Sequence, residues 1–283
     1  MNCYNFRGQV RETVKAYEEE GREERIMRIL MIRHGDPDYI HDTLTEKGRR
    51  EAALLSETAE DLRTGDCYQS PLGRAQETAA YTLKRLGKTA ETLDWLEEFP
   101  AKVDINQSEE LKKAYGDTRM EGDRYAMRIA WDMLPAYWTE HPEYLDRRLW
   151  RDSEAARCSD LVPLYDSVAS KLDELLARYG YVREGCHYRV ETESTQTITF
   201  FCHFGITCVL LSHLWSMSPF VLWHTLALAP TSVSEVVSEE RERGIASFRA
   251  LRLGDISHLN RANEPASFSA RFCETFENEG QRH

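Results

Sequence analysis

The sequence lacks any uninterrupted apolar run of the roughly 18 residues needed to cross a bilayer as a helix. Its nearest candidate, residues 198–215, is broken by His203, Gly205, Thr207, Ser212 and His213. Positive charge is in deficit: 36 Lys and Arg face 48 Asp and Glu, a formal net charge of −12. No basic run exceeds two residues, so nothing favours a nucleic-acid backbone or an anionic membrane as partner. Residues 1–25 do not read as a signal peptide, since they carry five Arg and Lys and six Glu and no apolar stretch. The seven cysteines show no CxxC spacing, which argues against a disulfide framework or a thiolate zinc site. Repeats and low-complexity tracts are lacking as well. These absences lead to an expectation of a cytoplasmic protein.

What is present suffices for a full core, since 41% of the 283 residues are hydrophobic. The length suits one or two domains. Residues 1–25 read as a polar helical appendage, residues 26–260 as the main domain, and residues 261–283 as an aperiodic tail. A buried strand is expected at Ile26–Ile32, ending in Arg33-His34-Gly35. Thr45 (or Thr43) should cap a helix, and a short strand is expected at Asp66–Gln69. Ser70-Pro71 reads as an N-cap followed by Pro at the first helical position, with a helix to about Leu86. Another strand is expected at Thr92–Leu96. From about 99 to 157 the chain turns aromatic and charged, read as a helical cap or insertion, and a helix follows at Leu161–Tyr179. Tyr188–Glu193 and Thr197–Cys202 look like a hairpin about Ser194, the second strand leading into His203 and an apolar helix. Val233–Ser238 and Ala246–Leu253 form a second hairpin. The pattern implies a three-layer α/β/α sandwich, with a mostly parallel sheet and an antiparallel edge.

Three segments share one grammar: an apolar strand, a polar residue at its carboxyl end, then a helix. They present Arg33-His34, Ser70 to Arg74, and His203. In a parallel sheet those strand ends line one crevice. Two guanidiniums and two imidazoles beside helix N-termini suit a dianionic phosphoryl group. A neutral imidazole can attack phosphorus, and Glu97-Glu98, beyond the next strand end, could protonate a leaving alkoxide.

On these residues the chain resembles the histidine phosphatase (phosphoglycerate mutase-like) superfamily. Ile32-Arg33-His34-Gly35, Leu44-Thr45-Glu46-Lys47-Gly48, the run Ser70 to Ala79 and the late His203 follow the family order. The resemblance implies that fold, no cofactor or metal, and a small phosphorylated substrate. It implies His34 as the nucleophile that becomes phosphohistidine, and Arg33, Arg74 and His203 as the phosphate pocket. The family places its acid two residues after a Leu, which selects Glu98 over Glu97. The chain departs from the family in continuing Phe99-Pro100 after the acid, and in having Phe204 where Gly usually follows the late His.

A metal-independent phosphomonoesterase is therefore expected, with a phosphomutase or a catalytically silent phosphate sensor as alternatives. A metal cluster built on His34, Asp36, Asp38, His41 and Asp42 lacks further ligands at an obvious spacing. A cysteine phosphatase needs Arg six residues after its Cys, whereas Cys67 precedes Arg74 by seven. His213 and His224 read as structural. The rings of the insertion read as mutual packing, or alternatively as a wall of the substrate pocket. A homo-oligomer is compatible with this sequence.

Overall fold

The computed structural model describes residues 26–116, 119–269 and 277. The expected appendage at 1–25 and most of the expected tail lie outside those residues. Eight strands form one sheet: β1 (Arg28–Arg33), β2 (Asp66–Gln69), β3 (Glu91–Thr92), β4 (Tyr181–Glu184), β5 (His187–Val190), β6 (Thr197–Cys202), β7 (Val233–Glu242) and β8 (Ile245–Asp255). Their spatial order is β4-β5-β8-β7-β1-β6-β2-β3. Strands β1, β6, β2 and β3 run parallel. The antiparallel side is made of β7, β8, β5 and β4.

Four longer helices cover the sheet: α1 (Glu46–Glu57), α2 (Gly73–Leu86), α3 (Leu161–Arg178) and α4 (Phe204–Trp215). Alternation along β1 divides the interior in two. Leu30 and Ile32 pack with Leu55 of α1, Ala79 and Leu83 of α2 and Phe201. Ile29 and Met31 belong to the larger core, with Phe200, Leu172 of α3 and Val209 of α4. Strand β6 is buried along its whole length, and so is nearly all of α4. Each fully buried Phe there contributes about 2–3 kcal/mol through apolar area removed from water.

Two expectations are corrected here. Thr197–Cys202 is not a hairpin arm; it pairs parallel with both β1 and β2. A strand apolar on both faces belongs between two neighbours inside the sheet. The hairpin involving Tyr188 instead pairs β4 with β5, turning through Gly185, whose φ of +60° is the left-handed region that favours glycine. Residues 92–96 do not form one strand either. The chain leaves β3 at Thr92 and makes a 3₁₀ turn over Asp94–Leu96, which buries the Leu96 side chain.

The insertion holds short helical pieces, including Pro135–Glu140 and Glu154–Arg157, and two two-stranded ribbons that precede these two, pairing Lys102–Val103 with Arg128–Ile129 and Met120–Glu121 with Arg124–Tyr125. It shares the larger core instead of enclosing its own. Tyr144 and Trp150 are fully buried, and both rings meet Phe220.

Candidate active site

Strand β1 delivers Arg33 and His34 at its carboxyl end, and β6 delivers His203 from the neighbouring strand. The two imidazole rings lie 5.0 Å apart. Nδ1 of His34 donates to the carbonyl of Gly35 at 2.7 Å, which leaves Nε2 with its lone pair. Burial pushes His34 well below the ordinary histidine range, and Arg33 and His203 add to the effect. Burial does the same to His203, reinforced by Arg74 and Arg33. Both rings are neutral near neutral pH.

Ser70 was expected to cap α2. Helix α2 instead begins at Gly73 with Leu72 as its cap residue, whose own side chain makes no capping bond. The Ser70 hydroxyl accepts from the Leu72 amide at 3.1 Å and bonds Nε2 of His203 at 2.7 Å. With that hydroxyl donating to Nε2, the His203 proton sits on Nδ1. That nitrogen is buried and has no partner among the described residues. The same is true of Nε of Arg33 and Nε of Arg74. Arg33 Nη1 donates to the carbonyls of Leu228 (2.5 Å) and Ser269 (3.1 Å), which fixes the plane of its guanidinium. Burial lowers the Arg33 pKa, as expected for a cation held without a matching anion.

Neither helix N-terminus is empty, which differs from expectation. Asp42 accepts from the Gly73 amide and from Nη1 of Arg74, both at 2.6 Å, and so occupies the start of α2. At the start of α4, Glu98 Oε1 accepts from the Ile206 amide at 3.2 Å and from the Phe99 amide at 3.0 Å. The exposed amides favour a carboxylate as they would a phosphate. Glu98 is half-buried beside the arginines, whereas Glu97 is exposed. Burial raises the Glu98 pKa, against the pull of Arg33. Trp131 from the insertion reaches this point too. A Cβ added at Gly205 would come within 2.6 Å of Glu98 Oε1 and 2.7 Å of the Trp131 ring. The glycine displaced by Phe204 is thus required one residue later, where the carboxylate and the indole crowd the helix start.

The carboxylates and imidazole considered as metal ligands are spread over different partners. His41 pairs with Asp38 at 2.8 Å on the surface, Asp36 bonds the Thr45 hydroxyl at 2.7 Å, and Asp42 holds Arg74. No group of three or more His, Cys, Asp or Glu among the described residues is arranged for a metal ion. His213 pairs with Asp173 at 2.9 Å, and His224 is stacked on Trp138.

Sequence reasoning missed three contributors because their partners are remote in the chain. Thr78 accepts from the Gly35 amide at 2.9 Å, tying α2 to the loop after β1. Glu77 accepts from the Leu44 amide and from Arg49, at 2.9 and 2.7 Å. Glu51, buried on α1, accepts from the amides of Asp36 (3.0 Å) and Ser267 (3.0 Å). The Ser267 hydroxyl also bonds Asp36, so the described part of the aperiodic tail packs beside the site. Only its closely spaced serines hinted at hydrogen bonding.

Glu51 carries a pH prediction. Burial, opposed by the two amides, raises its pKa to about 7 from 4.5. The folded state therefore holds a proton that the unfolded state has released between those values. Stability from this group is fully present below about pH 4.5 and is lost as pH rises through about 7, by at most about 3 kcal/mol. Thermal melts from pH 5 to 8 check this against Glu51→Gln: the variant should show a flatter dependence, whatever its absolute Tm. An unchanged slope would assign the decline to other groups.

Residues 29–157 match the model for the histidine phosphatase superfamily, branch 1. No curated protein matches the chain. Among solved structures, one similar fold is a protein named mycobacterial hydrolase 1, at 17% identity and TM-score 0.52, covering 81% of this chain and 99% of that one. Another is mycobacterial glucosyl-3-phosphoglycerate phosphatase, at 16% identity and TM-score 0.51, covering 81% and 99%. A third is a phosphoserine phosphatase mutant from Entamoeba histolytica in complex with phosphoserine, at 14% identity and TM-score 0.51, covering 82% and 99%. At such identities these likenesses bear on the fold alone. The matched segment carries Arg33, His34, Arg74 and Glu98, and the sheet brings His203 beside His34; over that segment the chain is similar to the histidine phosphatase superfamily.

Proposed function

We propose that this protein is a metal-independent phosphomonoesterase acting on a small phosphorylated substrate through a phosphohistidine. The observation that carries the reading is the set of buried donors on Arg33, Arg74 and His203 that have no partner among the described residues, gathered around a neutral imidazole. Buried donors without acceptors are costly, and a phosphoryl group offers acceptor oxygens to all of them. His34 Nε2 attacks phosphorus, forming the N–P bond as the P–O bond to the leaving group breaks. Glu98 gives that oxygen its proton. Water then attacks the phosphohistidine, its proton passes to Glu98, and the N–P bond breaks to release inorganic phosphate. Arg33, Arg74 and His203 hold the equatorial oxygens, where preorganised donors contribute most to the rate. Residues 26–260 make up the catalytic unit in this scheme, with the 99–157 insertion supplying Trp131 against Glu98.

The direct test is p-nitrophenyl phosphate turnover in the presence of EDTA. Turnover should persist; complete loss on chelation, restored by added metal, would overturn the reading. The protonation states are checked separately by imidazole ¹⁵N NMR at about pH 6, where an ordinary histidine is mostly charged. His34 and His203 should both appear neutral. A protonated His34 would remove the nucleophile.

A further inference from the structure

At the far end of α4 from His203 lies a second cavity, of about 140 Å³, lined by side chains of opposite character to the protein as a whole. In a chain of net charge −12, its wall includes Arg147, Arg148, Arg151, Arg183 and His213 around Cys186, with no Asp or Glu. Three separate segments supply these groups: the insertion, the β4–β5 hairpin and the end of α4. We propose that this cavity is an anion-binding site, separate from the phosphate pocket, that takes a small phosphorylated anion.

The partners of each cation support the assignment. Arg151 is neutralised by a two-bond pair with Asp166, at 2.7 and 3.0 Å, and stacks on Trp150 and Tyr165. His213 is occupied by Asp173. The other three arginines form no ion pair with a carboxylate among the described residues. Arg147 Nη1 donates to Cys186 Sγ at 3.0 Å, and the Arg148 guanidinium makes no hydrogen bond among the described residues. Arg183 is held by the Gly185 carbonyl and the Ser216 hydroxyl and lies over the Tyr188 ring, while its Nη1 is buried with no partner among the described residues. An orphaned guanidinium nitrogen in a cation-lined cavity calls for an acceptor. The Ser216 hydroxyl, Arg147 and Arg183 also favour the thiolate of Cys186, so the groups of this wall stabilise negative charge. The carboxyl end of α4 opposes an anion. Its last carbonyls are partly met by the Ser216 and Met217 amides, and the dipole fades within one turn.

Cys186 makes the site measurable in the full-length protein. Cys67, Cys158, Cys202 and Cys208 are buried, so Cys3→Ser and Cys273→Ser leave Cys186 as the exposed thiol to follow. Its alkylation by iodoacetamide is measured by mass spectrometry in increasing inorganic phosphate, with chloride holding ionic strength constant. A saturable slowing of at least threefold is expected. Arg148→Ala should raise the half-protecting phosphate concentration about tenfold while leaving p-nitrophenyl phosphate turnover unchanged. Citrate in place of phosphate distinguishes the ligand chemistry, and equal or better protection by citrate would overturn the phosphoryl assignment. No saturable protection, or protection identical in Arg148→Ala, would overturn the site. Because the readout is local to Cys186, it stands or falls independently of chemistry at His34.

Discussion

His34→Ala is expected to lower kcat at least about 10⁴-fold, the scale seen when a covalent nucleophile is removed. The loss should fall on chemistry and spare binding. Arg33 is fixed by the carbonyls of Leu228 and Ser269, and His203 by Ser70, so neither needs the His34 ring for its position. Vanadate or inorganic phosphate should therefore still bind the variant. Acid-labile labelling by a phosphorylated substrate should disappear, since the only N–P bond in the scheme forms at His34. Substantial turnover in this variant, or an acid-labile phosphoryl group on another residue, would overturn the mechanism.

Glu98→Gln is expected to act in a leaving-group-dependent way. On an alkyl phosphate the alkoxide needs a proton, and kcat should fall about 10²- to 10⁴-fold. On p-nitrophenyl phosphate the phenolate leaves unaided, so transfer to His34 proceeds. Hydrolysis of the phosphohistidine then stalls for want of a base. Rapid quench should show a burst approaching one nitrophenolate per chain, with phosphohistidine accumulating. The amide oxygen of Gln can still accept from Phe99 and Ile206, so the start of α4 keeps its partner. Glu97 is exposed, and Glu97→Gln should leave both substrates turned over as before. If Glu97→Gln gives the burst and Glu98→Gln does not, the acid has been misassigned.

Local information in this sequence ends where strands choose their partners. Asp66–Gln69 and Arg28–Arg33 are strands as their composition implies, and Thr45 caps α1 through the Gly48 amide. These depend on neighbours within a few residues, where propensity and side-chain capping act. The two-sided burial of Thr197–Cys202 was visible as an apolar run, but not its placement between β1 and β2. Pairing is chosen by the whole sheet, and a hairpin was equally compatible with the local pattern. Trp131 and Trp150 were indistinguishable as aromatic residues of one insertion. The fold sends Trp150 into the core and Trp131 to Glu98.

By itself the sequence determined which chemistry is available: two arginines, two histidines and a carboxyl, most of them set at strand ends that a parallel sheet must bring to one side. Only the tertiary structure decided the state in which those groups are held. Ser70, expected to cap a helix, bonds a histidine 133 residues away, and the described part of the tail reaches Glu51 across 216 residues. Asp42 and Glu98 take the helix starts that a phosphate could have taken. A serine hydroxyl or a carboxylate has many competing partners of similar strength. Packing settles the choice, because burial makes an unmet donor costly and only the folded chain fixes which acceptor lies within reach.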